Sequence, residues 1–160
     1  MINADEFRAV MRHWTAGVAI VTSIYEGSPH GMTVTSFTSI SANPAMVSVS
    51  LAKSTRTLQR ILDSGIFAVT ILSDDQQWIS ERFAGKRAAI SSRFEDVQTF
   101  SMGSGAPLIV DGLAYFECSV VHRYEMAESV LLVAEVLDIK HGTGDPLVYT
   151  DRKYGRVKLL

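Results

Sequence analysis

Apolar residues recur along the chain at two periods, and the switches between them mark out the predicted elements. Phe7, Val10, Met11 and Trp14 stand three and four apart, with Asn3 as N-cap and Glu6 as its capping-box partner. A short amphipathic helix is therefore predicted from Asn3 to Trp14, ending near Thr15-Ala16-Gly17. VAIVTSIY follows as a buried strand closed by the turn EGSPHG. In AMVSVSL, Val47, Val49 and Leu51 alternate with Ser48 and Ser50, so one strand face enters a core and the other presents hydroxyls. STRTLQRILDSG returns to helical spacing, with Ser54 or Thr55 as N-cap, a stripe of Leu58, Ile61 and Leu62, and Gly65 as stop. IFAVTIL is a strand, and DDQQWISERFAG a helix with acids in its first turn and Gly85 at its end.

From Lys86 to Gly105 the periodicity is weak, and SMGSGAP has loop composition. Three strand-like runs follow: LAYFECSVVHRY, SVLLVAEVLDIKH and PLVYT, the first two joined by the polar break EMAE as a hairpin. Six or so strands, three short helices and no regular strand-helix alternation predict a mainly β fold. The expected form is an antiparallel barrel or sandwich with helices added at its edges, one domain spanning residues 1–160.

Composition narrows the function. With 160 residues, 47% of them apolar and 20% charged, the chain has the make-up of one soluble globular domain. A net charge of -2 and the absence of a dense basic stripe argue against nucleic acid as a partner. The apolar runs are too short or interrupted to span a bilayer, and MINADEFRAVMRHW lacks the apolar centre of a signal peptide. No membrane association and a cytoplasmic location are expected. Cys118, the single cysteine, sits in the alternating run AYFECSVV and reads as a small core residue. His13, His30, His122 and His141 lack ligand spacing, so no metal site is expected. No glycine-rich dinucleotide fingerprint, phosphate loop, His-Glu-x-x-His helix or Gly-x-Ser-x-Gly elbow is present.

The chemistry concentrates elsewhere. GMTVTSFTSIS, residues 31–41, carries hydroxyls at Thr33, Thr35, Ser36, Thr38, Ser39 and Ser41 and no charge. It lies in a span, residues 27–62, that contains no Asp or Glu, while Lys53, Arg56 and Arg60 gather at the far end. The helix starting at Ser54-Thr55 offers unpaired N–H groups and a positive dipole end, a ready phosphate site that Lys53, Ser54, Thr55 and Thr57 can complete. Ser54 and Thr55 equally suit an ordinary N-cap, and the serines of AMVSVSL could face water. Residues 31–41 add a reason to expect a ligand: hydroxyls and backbone amides match a planar, polar, uncharged edge.

In FRAVMRHWTAGVAIVTS, GMTVTSFTSISANPAMVSVSLAKSTRT, SERFAG, GAPLIVDGLAYFEC and GDPLVYTDRKYGR, taken in order over nearly the whole chain, the sequence resembles the flavin reductase-like proteins. These have an FMN-binding split barrel and serve as reductase components of two-component flavin monooxygenases. The resemblance implies an antiparallel split β-barrel that binds FMN or FAD and takes electrons from NADH or NADPH. Thr33, Val34, Thr35 and Ser36 would lie along the isoalloxazine, with Ser39 and Ser41 on the same segment, and Ser50 and Leu51 flanking ring and ribityl chain. Lys53, Ser54, Thr55 and Thr57 would hold the phosphate, and Phe83 and Ala84 would cover another part of the flavin.

Tyr154 and Arg156 would close the site or meet the partner subunit of a homodimer. Many NADH-using members carry Gly-Asp-His on the hairpin before the strand ending Gly-Glu-Val; here Ala127-Glu128-Ser129 and Ala134 stand there, making Glu128 and Ser129 nicotinamide or interface candidates. The implied activity is hydride transfer from nicotinamide to flavin N5, with no catalytic side chain and with reduced flavin passing to an oxygenase. A flavin binder without nicotinamide turnover, or a flavoprotein serving another acceptor, are the alternatives.

Overall fold

Every strand pairing in the computed structural model, which describes residues 1–86 and 92–160, is antiparallel. In chain order the elements are α1 (Ala4–Met11), β1 (Ala16–Gly17), β2 (Ala19–Tyr25), β3 (Ser28–Val34), β4 (Thr38–Ala42), β5 (Ala45–Ala52) and α2 (Arg56–Ser64). There follow β6 (Ile66–Ile71), a 3₁₀ turn Asp74–Gln76, α3 (Gln77–Phe83), β7 (Thr99–Ser101), β8 (Pro107–Ile109), β9 (Ala114–Glu125), β10 (Ser129–His141), β11 (Leu147–Thr150) and β12 (Lys153–Arg156). Seven strands in the order β3-β2-β6-β9-β10-β5-β4 make the split barrel, with β1-β11-β12 and β7-β8 as smaller sheets. The mainly β, antiparallel split-barrel expectation holds.

Two packed layers explain why β2 lacks alternation. Ala19 and Val21 of β2 join Val49, Leu51, Leu58, Ile61, Phe67 and Leu132 in a core under α2. Ile20, with Val18 before it, joins Leu72, Ile79, Phe83 and Leu147 in a second core under α3. With both faces covered, β2 reads as a continuous apolar run. Each fully buried Leu or Ile side chain contributes roughly 1.5–3 kcal/mol.

Several local readings need correction. The predicted turn EGSPHG shrinks to Glu26-Gly27, whose φ values of 49° and 74° give the tight hairpin loop a right-twisted strand pair favours. Ser28 to Gly31 therefore belong to β3. Pro29 is tolerated because β3 is an edge strand and its missing N–H breaks no ladder bond. Of the two N-cap candidates for α2, Thr55 is the cap, as one of the two readings had it: its Oγ1 accepts from Leu58 N at 3.3 Å and donates to the Ala52 carbonyl at 2.8 Å.

Helix α1 is shorter than predicted, capped by Asn3 accepting from Asp5 N at 2.8 Å, with Glu6 outside the cap. None of its residues is buried, and Phe7, Val10, Met11 and the following Trp14 are 58, 69, 47 and 72% exposed. Strands β7 and β8 lie where loop composition hid them, since three residues are too few to show a period. Of the weakly periodic stretch Lys86 to Gly105, residues 87–91 lie outside the described residues. Cys118 is fully buried, as expected.

Candidate functional site

The connection from β3 to β4 runs between the two edges of the seven-stranded sheet, so residues 35–37 bridge the open side of the barrel. Ser36 pins that bridge: its Oγ donates to the Ser50 carbonyl at 2.9 Å and accepts from Ser50 N at 3.2 Å. Beside it a cleft of about 860 Å³ straddles the free edge of β3, between the N-terminus of α2 and the end of α3. Ser28 to Thr33, Ser54 to Thr57, Phe83, Ala84 and Ser92 to Phe94 line it, with no carboxylate among them.

The free edge is chemically open. Arg93 Nη1 donates to the Gly31 carbonyl, which therefore faces away from β2, and the two-residue alternation puts the backbone groups of Thr33 on the same side. Arg93 Nη1 also donates to the Phe83 carbonyl, both bonds being 2.9 Å, and so ties the cleft's floor to the end of α3. Thr33 Oγ1 donates to the Ser80 carbonyl at 2.6 Å, which fixes β3 against α3. Phe83 is fully buried, edge-on to Phe94 with ring centroids 5.0 Å apart, and shapes the floor from below.

A smaller recess of about 170 Å³ adjoins this cleft, sharing Thr33 and Ala84 and adding Val34, Thr35, Ser80, Lys86, Tyr149 and Tyr154. Tyr154 is held there by a 2.7 Å hydrogen bond with Ser80 Oγ and an edge contact with Tyr149. Lys86 Nζ lies 5.5 and 5.7 Å from the Tyr154 and Tyr149 rings, so two aromatic faces hold its ammonium.

The predicted site residues thus fall into groups. Thr33, Ser54, Thr55, Thr57, Phe83 and Ala84 meet in the main cleft, while Val34, Thr35 and Tyr154 meet in the recess. Leu51 points into the core, and Ser39 and Ser41 lie on edge strand β4 opposite Val47 and Met46, off the cleft lining. Lys53 turns toward the β9–β10 hairpin: Nζ pairs with Glu125 at 3.1 Å, and its N–H bonds the Glu128 carbonyl at 3.0 Å. Ser129 pairs with Ala52, so Glu128 and Ser129 are carried beside Lys53. Arg156 is placed away from both cavities, bonded to Asp74 at 2.6 Å with Asp75 at 4.0 Å.

Sequence reasoning singled out the acid-free span but did not put His30, Arg56, Ser92, Arg93 or Phe94 on a site wall. Arg56 was legible as the first helical residue after the N-cap. Arg93 and Phe94 lie in aperiodic chain, where nothing signals which strand they reach. Burial and then the charges of Arg60, Arg56 and Arg93 hold His30 below its ordinary pKa of 6.5. Burial raises the Cys118 thiol to about 12, leaving it an inert core residue. Among the described residues no cluster of His, Cys, Asp or Glu could hold a metal, and no helix is long and apolar enough to cross a membrane.

Fold and cleft together define a class, an antiparallel split barrel with an acid-free, nucleotide-sized cleft on its open strand edge. Residues 11–158 match the family described as the flavin reductase like domain, and the chain belongs to that family. It is 36% identical over 154 residues to the reductase component of 4-nitrophenol 4-monooxygenase/4-nitrocatechol 2-monooxygenase of Rhodococcus opacus, covering 96% of this chain and 81% of that protein. To the FMN reductase (NADH) SmoA of Agrobacterium fabrum it is 35% identical, over 96% of this chain and 86% of that one. Among solved structures, flavin reductase PheA2 superposes with a TM-score of 0.91 at 36% identity, over 99% of this chain and 100% of that chain. The NADH:FAD oxidoreductase SgcE6 of Streptomyces globisporus C-1027 does so with a TM-score of 0.90 at 26% identity, over 99% and 98%.

Proposed function

We propose that this protein is an NAD(P)H-dependent flavin reductase supplying reduced flavin to an oxygenase partner. The observation that carries the reading is the acid-free cleft that joins the open edge of β3 to the N-terminus of α2. Its donor set fits a flavin nucleotide. Backbone groups and hydroxyls along Thr33 to Ser36 suit the polar edge of a planar ring, and the α2 end suits a phosphate. When bound, flavin supplies the redox chemistry by accepting a hydride at N5, and no side chain has to act as acid or base.

The chain's own residues then orient and neutralise. Thr33 is locked by Ser80 and Ser36 by Ser50, so the ring wall is set before a ligand arrives. Ser54, Thr55, Thr57 and the first N–H groups of α2 receive the phosphate, with Arg56 at its lip and Lys53 at the side. The Lys53–Glu125 pair is exposed on the Glu125 side and correspondingly weak, so it can yield to a phosphate. FMN is the flavin the α2 end fits directly, and NADH the donor by likeness to the relatives named above. A homodimer is supported by the uncovered apolar stripe of α1, and a cytoplasmic location by the composition.

The hairpin residues Ala127-Glu128-Ser129 favour one second reading, a flavin binder that no longer turns over nicotinamide. Anaerobic mixing of the flavin-loaded protein with NADH or NADPH separates the two. A reductase bleaches the flavin absorbance, whereas persistence of the yellow colour with both nucleotides at millimolar concentration leaves only the binder.

A further inference from the structure

We infer that Lys86 tunes the redox balance of the flavin: from the recess beside Thr33 to Thr35, its ammonium neutralises the negative charge that hydride transfer leaves on the ring. The inference rests on the flavin reading above. It gives a role to a residue set apart from the phosphate end of the cleft.

The recess continues the wall offered to the polar edge of the ring. It shares Thr33 and Ala84 with the main cleft, and Val34 and Thr35 carry the wall into it. Its volume of about 170 Å³ falls below the roughly 300–1,000 Å³ of sites that take a whole small molecule, so it suits the end of a group seated in the main cleft. Among the described residues that line it, Lys86 alone carries a charge.

The fold holds that charge in place without cancelling it. Nζ lies 5.5 Å from the Tyr154 ring and 5.7 Å from the Tyr149 ring, and the Lys86 N–H donates to the Glu81 carbonyl at 3.1 Å. Aromatic faces attract a cation but bring no opposite charge to it. Among the described residues Nζ meets no carboxylate, in contrast to Lys53 on Glu125. Ser80 braces both the cage and the ring wall. Its Oγ shares a 2.7 Å hydrogen bond with Tyr154 Oη, and its carbonyl accepts from Thr33 Oγ1 at 2.6 Å.

The reaction gives this cation a task. Hydride transfer breaks the C4–H bond of the dihydronicotinamide and forms an N5–H bond on the flavin; both electrons travel with the hydride, so the donor leaves as a cation and the ring gains one negative charge, spread over N1 and the C2 carbonyl of its polar edge. An ammonium beside that edge stabilises the reduced ring and leaves the uncharged oxidised ring little affected. A lysine that served the phosphate, or only packed against the tyrosines, would act on both redox states alike.

Oxidised FMN and dithionite-reduced FMN, titrated separately into apoprotein under argon, test this together with the midpoint potential of bound FMN against a reference dye. Lys86 is exposed, so Lys86→Met leaves the fold intact. In that variant oxidised FMN affinity stays within about twofold and reduced FMN affinity falls about tenfold, the scale of one lost interaction with a charged group. For a two-electron couple, tenfold lowers the midpoint potential by about 30 mV. Lys86→Arg, which keeps the charge, retains most of the preference for reduced flavin. The inference is overturned if Lys86→Met leaves the ratio of the two affinities unchanged or raises it toward reduced FMN, or if Lys86→Arg loses the preference as fully as Lys86→Met. Wild-type protein that takes up FMN in neither redox state removes the flavin reading itself, and this role with it.

Discussion

At the scale of single residues, Gly31 and His30 carry tests that the cleft geometry dictates. A Cβ on Gly31 would stand 2.8 Å from Phe83 Cε1 and 3.1 Å from Thr22 Cγ2, so the close approach of β3 to α3 needs glycine. Gly31→Ala displaces the buried Phe83 ring, costing about 1–3 kcal/mol in denaturant unfolding and weakening FMN retention. His30 is held below its ordinary pKa by burial and by Arg60, Arg56 and Arg93, so the unfolded chain binds its proton more readily than the folded protein. Its contribution to stability is thus complete above pH 6.5 and is lost as the pH falls below that value. Urea unfolding at pH 5.5 and 7.5 shows a smaller acid loss in His30→Gln than in wild type. Lys53, expected to hold the phosphate with Ser54, Thr55 and Thr57, shares the cationic part of that role with Arg56. Arg56 lines the cleft while Lys53 leans on Glu125, so Arg56→Gln weakens FMN binding at least as much as Lys53→Gln, with riboflavin affinity little changed in either.

Elements extend this to the phosphate end. Thr55 caps α2 through Leu58 N and ties the cap to Ala52, so Thr55→Ala costs about 1 kcal/mol. Because the same first turn presents the ligand-facing amides, FMN affinity falls with it, and Thr55→Ser restores both in parallel thermal and binding titrations. This helix was legible because cap, apolar stripe and terminal Gly65 are all local signals. β3 was legible only in part: Ser28-Pro29-His30-Gly31 carries turn residues, and its strand character comes from pairing with β2 across Glu26-Gly27. The hydroxyl-rich run 31–41 divides between two strands at opposite edges of the sheet, which no local pattern states. Its serines accordingly part company, Ser36 pinning the bridge while Ser39 and Ser41 ride on β4.

For the whole molecule, the apolar stripe of α1 is the feature that sequence and structure read differently. Spacing alone says that Phe7, Val10, Met11 and Trp14 pack against something, and within one copy of the described chain they remain exposed. Val121, Tyr124, Leu137 and Ile139 on β9 and β10 are exposed as well. A second copy covering these surfaces is the proposed homodimer. Sedimentation velocity of wild type gives twice the mass of the 17.6 kDa chain, and Phe7→Glu with Trp14→Glu shifts the population to monomer. The mainly β, antiparallel class was legible from the strand tally, which left barrel and sandwich open, whereas closure through residues 35–37 depends on which edges meet, a property of topology that the run of residues does not display.

The central claim is that the cleft seats a flavin which nicotinamide reduces. The direct measurement is anaerobic stopped-flow absorbance of the FMN-loaded protein mixed with NADH and, separately, with NADPH. The account predicts saturable bleaching of the flavin band by at least one of them. A protein that takes up FMN at the cleft yet keeps its full absorbance with both nucleotides would contradict it.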